Sequence, residues 1–115
     1  MRLSTGFITV GLSLMFLSCH KENIAPNTPA CIRTEIKSHD NSWGTGSVDE
    51  YFFQNQIVYA FLPDGRIIAD GATEIKDEYC KTLCHIGGFG GPAINLCNGD
   101  NFYQTAVFKR NIWKK

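Results

Sequence analysis

The run Val48-Asp49-Glu50-Tyr51-Phe52-Phe53-Gln54-Asn55-Gln56-Ile57-Val58-Tyr59-Ala60-Phe61-Leu62 decides the fold. Segments 48–53 and 56–62 are rich in β-branched and aromatic residues, and only Gln54-Asn55 separates them. A two-residue interruption of this kind predicts a hairpin, with Asn55 tolerating the positive φ of a tight turn. Along the second segment Ile57, Tyr59 and Phe61 point one way and Val58, Ala60 and Leu62 the other. Apolar side chains on both faces indicate a central strand covered on both sides. Pro63-Asp64-Gly65 stops it.

Downstream, Asp70-Gly71 makes another turn, and Ala72 to Lys76 and Tyr79 to Leu83 flank Asp77-Glu78 as a second hairpin. Gly87-Gly88-Phe89-Gly90-Gly91-Pro92 reads as a loop. After the Asn98-Gly99 turn, Asp100 is placed to cap a helix through about Lys109, with Phe102 and Ala106 on one side. Asn111 to Lys114 then returns as an edge strand, with Ile112 or Trp113 on the core. Upstream, Ile32, Glu35 and Ile36 fall at helical spacing, which predicts a short helix over 31–38 ended by the polar run His39-Asp40-Asn41-Ser42. The loop 41–47 carries Trp43, Gly44 and Gly46. The expected fold is a small α+β domain: an antiparallel meander of about four strands, one or two short helices and two disulfides.

The N-terminus has another character. Met1-Arg2 gives a short positive start, Leu3 to Leu17 is mostly apolar, and Phe16-Leu17-Ser18-Cys19 reads as a lipoprotein cleavage and acylation box. Ser18 and Cys19 fit that box well, while Leu17 stands where a small residue is commoner and Phe16 where leucine is commoner. The apolar run is broken by Ser4, Thr5, Thr9 and Ser13, and is shorter than the roughly 20 residues a spanning helix needs. The expected organisation is a signal peptide over 1–18, a flexible tether over 19–30 containing Pro26 and Pro29, and one domain over 31–115. Such a domain of about 85 residues is small enough that covalent staples matter. His20, rather than an acidic residue, follows Cys19, which favours an outer-membrane lipoprotein facing the periplasm or the exterior.

Eleven basic residues balance eleven acidic ones. That balance gives no basic stripe for nucleic acid and no acidic tail for a cationic partner. With Cys19 set aside for lipid, Cys31, Cys80, Cys84 and Cys97 form an even set, which outside the cytoplasm reads as two disulfides. If 79–83 is strand, Cys80 and Cys84 stand roughly 13 Å apart, too far to bond. Cys31–Cys80 with Cys84–Cys97, or Cys31–Cys84 with Cys80–Cys97, remain. Easy closure of the glycine-rich 84–97 segment favours the first.

Each candidate chemistry meets a plainer explanation. Cys80-Lys81-Thr82-Leu83-Cys84-His85 has one residue too many for haem attachment, and both methionines, Met1 and Met15, lie in the leader. Zinc at these cysteines competes with oxidation. The glycine cluster lacks the Lys-Ser/Thr ending of a phosphate loop. Asp64, Asp70 and Asp77 match no calcium loop. Ser38, His39, Asp40 and Ser42 are neighbours in a polar segment, which is not how a triad is built. No catalytic residue, metal or cofactor is expected. Trp43 and Phe89, each beside glycines, are the candidate aromatic contacts.

Glu50-Tyr51 through Val58-Tyr59, Asp70, Asp77, Cys80-x3-Cys84 before Gly87-Gly88, Cys97, Phe102 and Ile112-Trp113-Lys114 together resemble an uncharacterised family of small Gram-negative lipoproteins. The resemblance spans nearly all of the domain. Its members tend to carry Asn-Gly where Gln54-Asn55 stands, and an adjacent cysteine pair around Ile68-Ala69 that this chain lacks. It implies the architecture and the location, and no activity. The expected role is a non-catalytic binding or structural module, held to the bilayer through acylated Cys19 and engaging an envelope protein or glycan. The alternative is a small inhibitor-like or enzyme-modulating module that presents the loop between Cys84 and Cys97.

Overall fold

A computed structural model describes residues 23–40, 44–65, 71–88 and 94–115. Helix α1 (Ala30–Asp40) is followed by strands β1 (Thr45–Phe53), β2 (Gln56–Pro63), β3 (Ala72–Asp77) and β4 (Thr82–Gly87). A two-residue ribbon, β5 (Leu96–Cys97) and β6 (Asp100–Asn101), leads into the single turn α2 (Phe102–Thr105), and β7 (Val107–Lys114) ends the chain. The main sheet has five antiparallel strands in the order β4-β3-β2-β1-β7, so β2 is central as its two apolar faces require.

The two faces of β2 organise two cores. Tyr59 and Phe61 join Val48, Ile112 and Trp113 beneath Ile32 and Ile36 of α1. Val58 and Ala60 join Phe53, Ile75 and Ile86 on the other face, beneath Cys97 and Phe102. A helix therefore covers one side of the sheet and the β5-β6-α2 segment covers the other. Ile112 and Trp113 are consecutive, yet both belong to the helix-side core. A β-bulge explains this: Trp113 lies opposite Val48 and Asn111 opposite Asp49, which leaves Ile112 as the extra residue.

The first hairpin is as expected. Gln54 (φ 50°) and Asn55 (φ 65°) both take positive φ, the two-residue turn whose twist suits paired strands. Gln54 is a poor residue for that conformation, and its side-chain amide is held by Asn98 O at 3.2 Å and Asp100 Oδ2 at 2.8 Å.

Two expectations need correction. The helix expected from Asp100 to Lys109 is one turn only. Asn101 caps it, its Oδ1 accepting from Gln104 N at 3.1 Å, and Ala106 is extended. Val107 onward pairs with β1, because the β1 edge would otherwise lie open and Val107-Phe108 favour strand. The edge strand expected at 111–114 thus begins at Val107. In the second hairpin the turn lies over 78–81, later than Asp77-Glu78, and β4 starts at Thr82. Asp77 Oδ1 accepts from the amides of Tyr79 and Lys81, both at 2.9 Å, and Cys80 takes φ 69°.

The cysteines pair as Cys31–Cys80, Cα atoms 6.0 Å apart, and Cys84–Cys97, 5.5 Å apart. The first bond ties the opening turn of α1 to the β3–β4 turn. The second ties β4 to the covering ribbon. Lys76, nearly buried, bonds Glu35 of α1 and lies 5.2 Å from the Phe61 ring centroid, a third link between helix and sheet.

Of the residues expected to form a tether, the stretch from Ile24 to Thr28 is docked. Ala25 N donates to Ile112 O of β7 at 2.9 Å, and Arg110 Nη1 donates to Pro26 O at 2.8 Å. Ile24 and Ala25 pack on the helix-side core, and Thr28 is buried with its hydroxyl on Ala25 O. These residues form a strap along the β7 edge, running antiparallel to it.

Candidate ligand-binding site

The meander brings the β1–β2 turn, the β3–β4 turn and the start of β7 to one end of the sheet. On the helix-side face of that end, Phe52 lies between two partners, Ile57 on β2 and Val107 on β7. Helix α1 covers the residues further along these strands, so Phe52 and Val107 are left open while Ile57 packs partly against the edge of the helix-side core. Phe52 is 41% exposed and Val107 56%. Tyr79 projects from the neighbouring turn at 77% exposure.

Between the two turns lies a hollow of about 320 Å³. Phe52, Ile57 and Tyr79 form its apolar walls, Asn55 and Gln56 supply polar groups from the first turn, and Asp77 and Glu78 supply carboxylates from the second. The neighbouring Glu78 carboxylate, first as a hydrogen-bond acceptor for the phenol and then through its charge, raises the Tyr79 pKa above its ordinary value. The hollow is thus walled by rings and carries a negative field.

Other phenols respond to burial. Tyr59 is pushed up to about 12, first by desolvation and then by Glu50, with Arg110 opposing. Tyr51 is raised by burial and by Asp49. Tyr51 also carries edge contacts to Phe102 and Phe108, with centroids 4.9 Å and 5.6 Å away, and these hold exposed Phe108 on the far face of the sheet.

Residues 34–115 match the family described as a domain of unknown function, DUF6970. The chain belongs to the DUF6970 family. No curated protein and no solved structure matches it. The cysteines expected to bond are brought together, with Cys84–Cys97 inside the matched residues of this DUF6970 chain and Cys80 bonded to Cys31 just before them. His85, after Cys84, is largely exposed, with Nε2 3.8 Å from Glu74 Oε2. Among the described residues no three metal-ligating side chains converge. Cys19, Trp43 and Phe89 lie outside the described residues. Sequence reading missed Phe52 and Tyr79 as exposed aromatics. The available signal was parity: Phe52 and Phe53 are adjacent in a strand, so they face opposite sides, and Phe52 falls on the helix-side face but at the end of the strand, beyond the residues packed under the helix.

Proposed function

We propose that this DUF6970 chain is a membrane-anchored, non-catalytic binding module of the cell envelope. The observation that carries the binding role is the open row Val107-Phe52-Ile57 with its adjoining hollow at one end of the sheet. Exposed aromatic and aliphatic side chains grouped beside convergent polar groups are the ordinary make-up of a recognition surface.

The anchor is argued from Phe16-Leu17-Ser18-Cys19. Cys19 precedes docked Ile24 by five residues, which reach at most about 18 Å when extended. An acyl group on Cys19 would therefore hold the domain close to the bilayer. Because the strap runs antiparallel to β7, the anchor approaches the Lys114 end, whose Lys114 and Lys115 suit anionic headgroups. Val107 starts β7 at the other end, so the hollow is presented away from the membrane. His20 after Cys19 favours the outer membrane as the destination.

A photo-crosslinking residue at Val107 in intact cells tests the binding role. A discrete adduct with an envelope protein or glycan is expected, and its absence would remove the proposal. Intact mass of the membrane form tests the anchor, with acyl mass on a chain beginning at Cys19 expected.

The second reading, an inhibitor-like module, draws on the Cys84–Cys97 bond and the 2.6 Å bond from Gly87 N to Ile94 O. Both close the base of the loop between them. Survival of that loop in a panel of envelope proteases, with inhibition of one of them, would favour this reading.

A further inference from the structure

We infer that the hollow between the two turns receives a basic side chain from an apolar-flanked segment of a protein partner. The inference rests on the binding reading above and names the occupant of the same site. Among the described residues its lining holds two carboxylates, Asp77 and Glu78, and no lysine, arginine or histidine. Two aromatic rings, Phe52 and Tyr79, complete the walls. Carboxylates beside exposed ring faces attract a cation through both charge and the ring quadrupole. The Tyr79 phenol supports this, since the charges acting on it are those of Glu78 and Asp77 and both raise its pKa.

The row outside the hollow argues for a peptide rather than a free cation. A small ammonium ion would use the carboxylates and leave Phe52 and Val107 uncovered. A basic residue with apolar neighbours would use both, its charge in the hollow and its flanking side chains along the row toward β7. At about 320 Å³ the hollow has room for one long basic side chain.

The test uses the full ¹⁵N-labelled chain in a non-ionic detergent, titrated with a heptapeptide of glycine and serine bearing one central arginine between two leucines. Amide shifts confined to residues 52–57, 77–79 and 107 are expected. Glutamate in place of the arginine should abolish them, and serine in place of the leucines should weaken them. Glu78→Gln should weaken binding about three- to fivefold, the upper part of the range for an exposed ion pair, while melting at the parent temperature. His85→Ala, on β4 and outside the hollow, should bind as the parent does. The inference is overturned by no shift at these amides, by an equal response to the glutamate peptide, or by full affinity in folded Glu78→Gln. Chitotetraose shifting the same amides where the arginine peptide does not would also overturn it, and would leave the binding role standing with a glycan as ligand. Loss of the Val107 crosslink in cells, by contrast, would remove the binding role itself.

Discussion

Cys31 in the first turn of the helix is bonded to Cys80, which takes a left-handed φ of 69° in the turn between β3 and β4. The bond joins residues 49 apart in sequence, and Cys84–Cys97 joins residues 13 apart. The longer loop removes more freedom from the unfolded chain. Replacing Cys31 and Cys80 together by alanine should therefore lower stability by about 4 kcal/mol, against about 3 kcal/mol for Cys84 with Cys97. Urea unfolding of the two double variants checks both the size and the order.

The β1–β2 turn places Asn55 at φ 65°. Asparagine tolerates this conformation and glycine adopts it without penalty. Asn55→Gly should raise stability by about 0.5 kcal/mol, read as a higher urea midpoint with unchanged slope. Gln54→Ala should act in the opposite direction, because it keeps the unfavourable φ of 50° and removes the bonds to Asn98 and Asp100. A loss of about 1 kcal/mol is expected.

The contrast between these turns shows what local sequence can specify. The hairpin at Gln54-Asn55 was legible because strand patterning and turn chemistry agree over adjacent residues. So was the double covering of β2, since both its faces are apolar. The 100–109 segment misled because Asp100 is a sound cap by local rules, while the residues that draw Val107 onward into strand lie on β1, some 55 positions earlier. The Ile112 bulge is equally non-local. The open row at Phe52 depends on where α1 ends above the sheet, which no local pattern states.

Lys76 is 8% exposed and pairs with Glu35, so the helix rests on a nearly buried charge as well as on apolar contacts. Lys76→Ala removes the pair, the contact to Phe61 and the packed methylenes. It should destabilise by about 2–3 kcal/mol. Lys76→Met keeps the stem and should cost about 1 kcal/mol or less. If the two variants were equally unstable, the charge pair and not the packing would carry the effect. Thermal melts at fixed pH separate them.

Tyr59 is raised to about 12 by burial and then by Glu50, so the fold favours the neutral phenol. A group raised in the folded state contributes stability that is fully present below its unfolded pKa, about 10 for tyrosine, and is lost as pH climbs through the folded value. Stability should accordingly decline from about pH 10 toward pH 12. Tyr59→Phe cannot ionise and should decline less over that window, although its melting temperature at pH 8 stays close to that of the parent. Urea midpoints at pH 8, 10 and 11 for both proteins provide the comparison.

The strap gives the last prediction. Arg110 Nε bonds Glu50 Oε1 at 3.0 Å while its Nη1 holds Pro26 O at 2.8 Å, so one guanidinium joins β1, β7 and residues 24–28. Arg110→Ala removes the strap's tie to β1 and β7 through this guanidinium but leaves the backbone bond from Ala25 to Ile112, the bond from Arg33 Nη2 to Ala25 O at 3.4 Å and the packing of Ile24 and Ala25. The Ala25 amide should exchange at least tenfold faster in the variant, and amides of β2 should hardly change. Arg110→Lys can reach either Glu50 or Pro26 but lacks the fork that spans both, so it should recover only part of the protection. Equal protection in all three proteins would mean that Ile24 and Ala25 are held by their packing on the helix-side core. Faster exchange shared by the strap and β1 would instead identify Arg110 as a tie within the sheet.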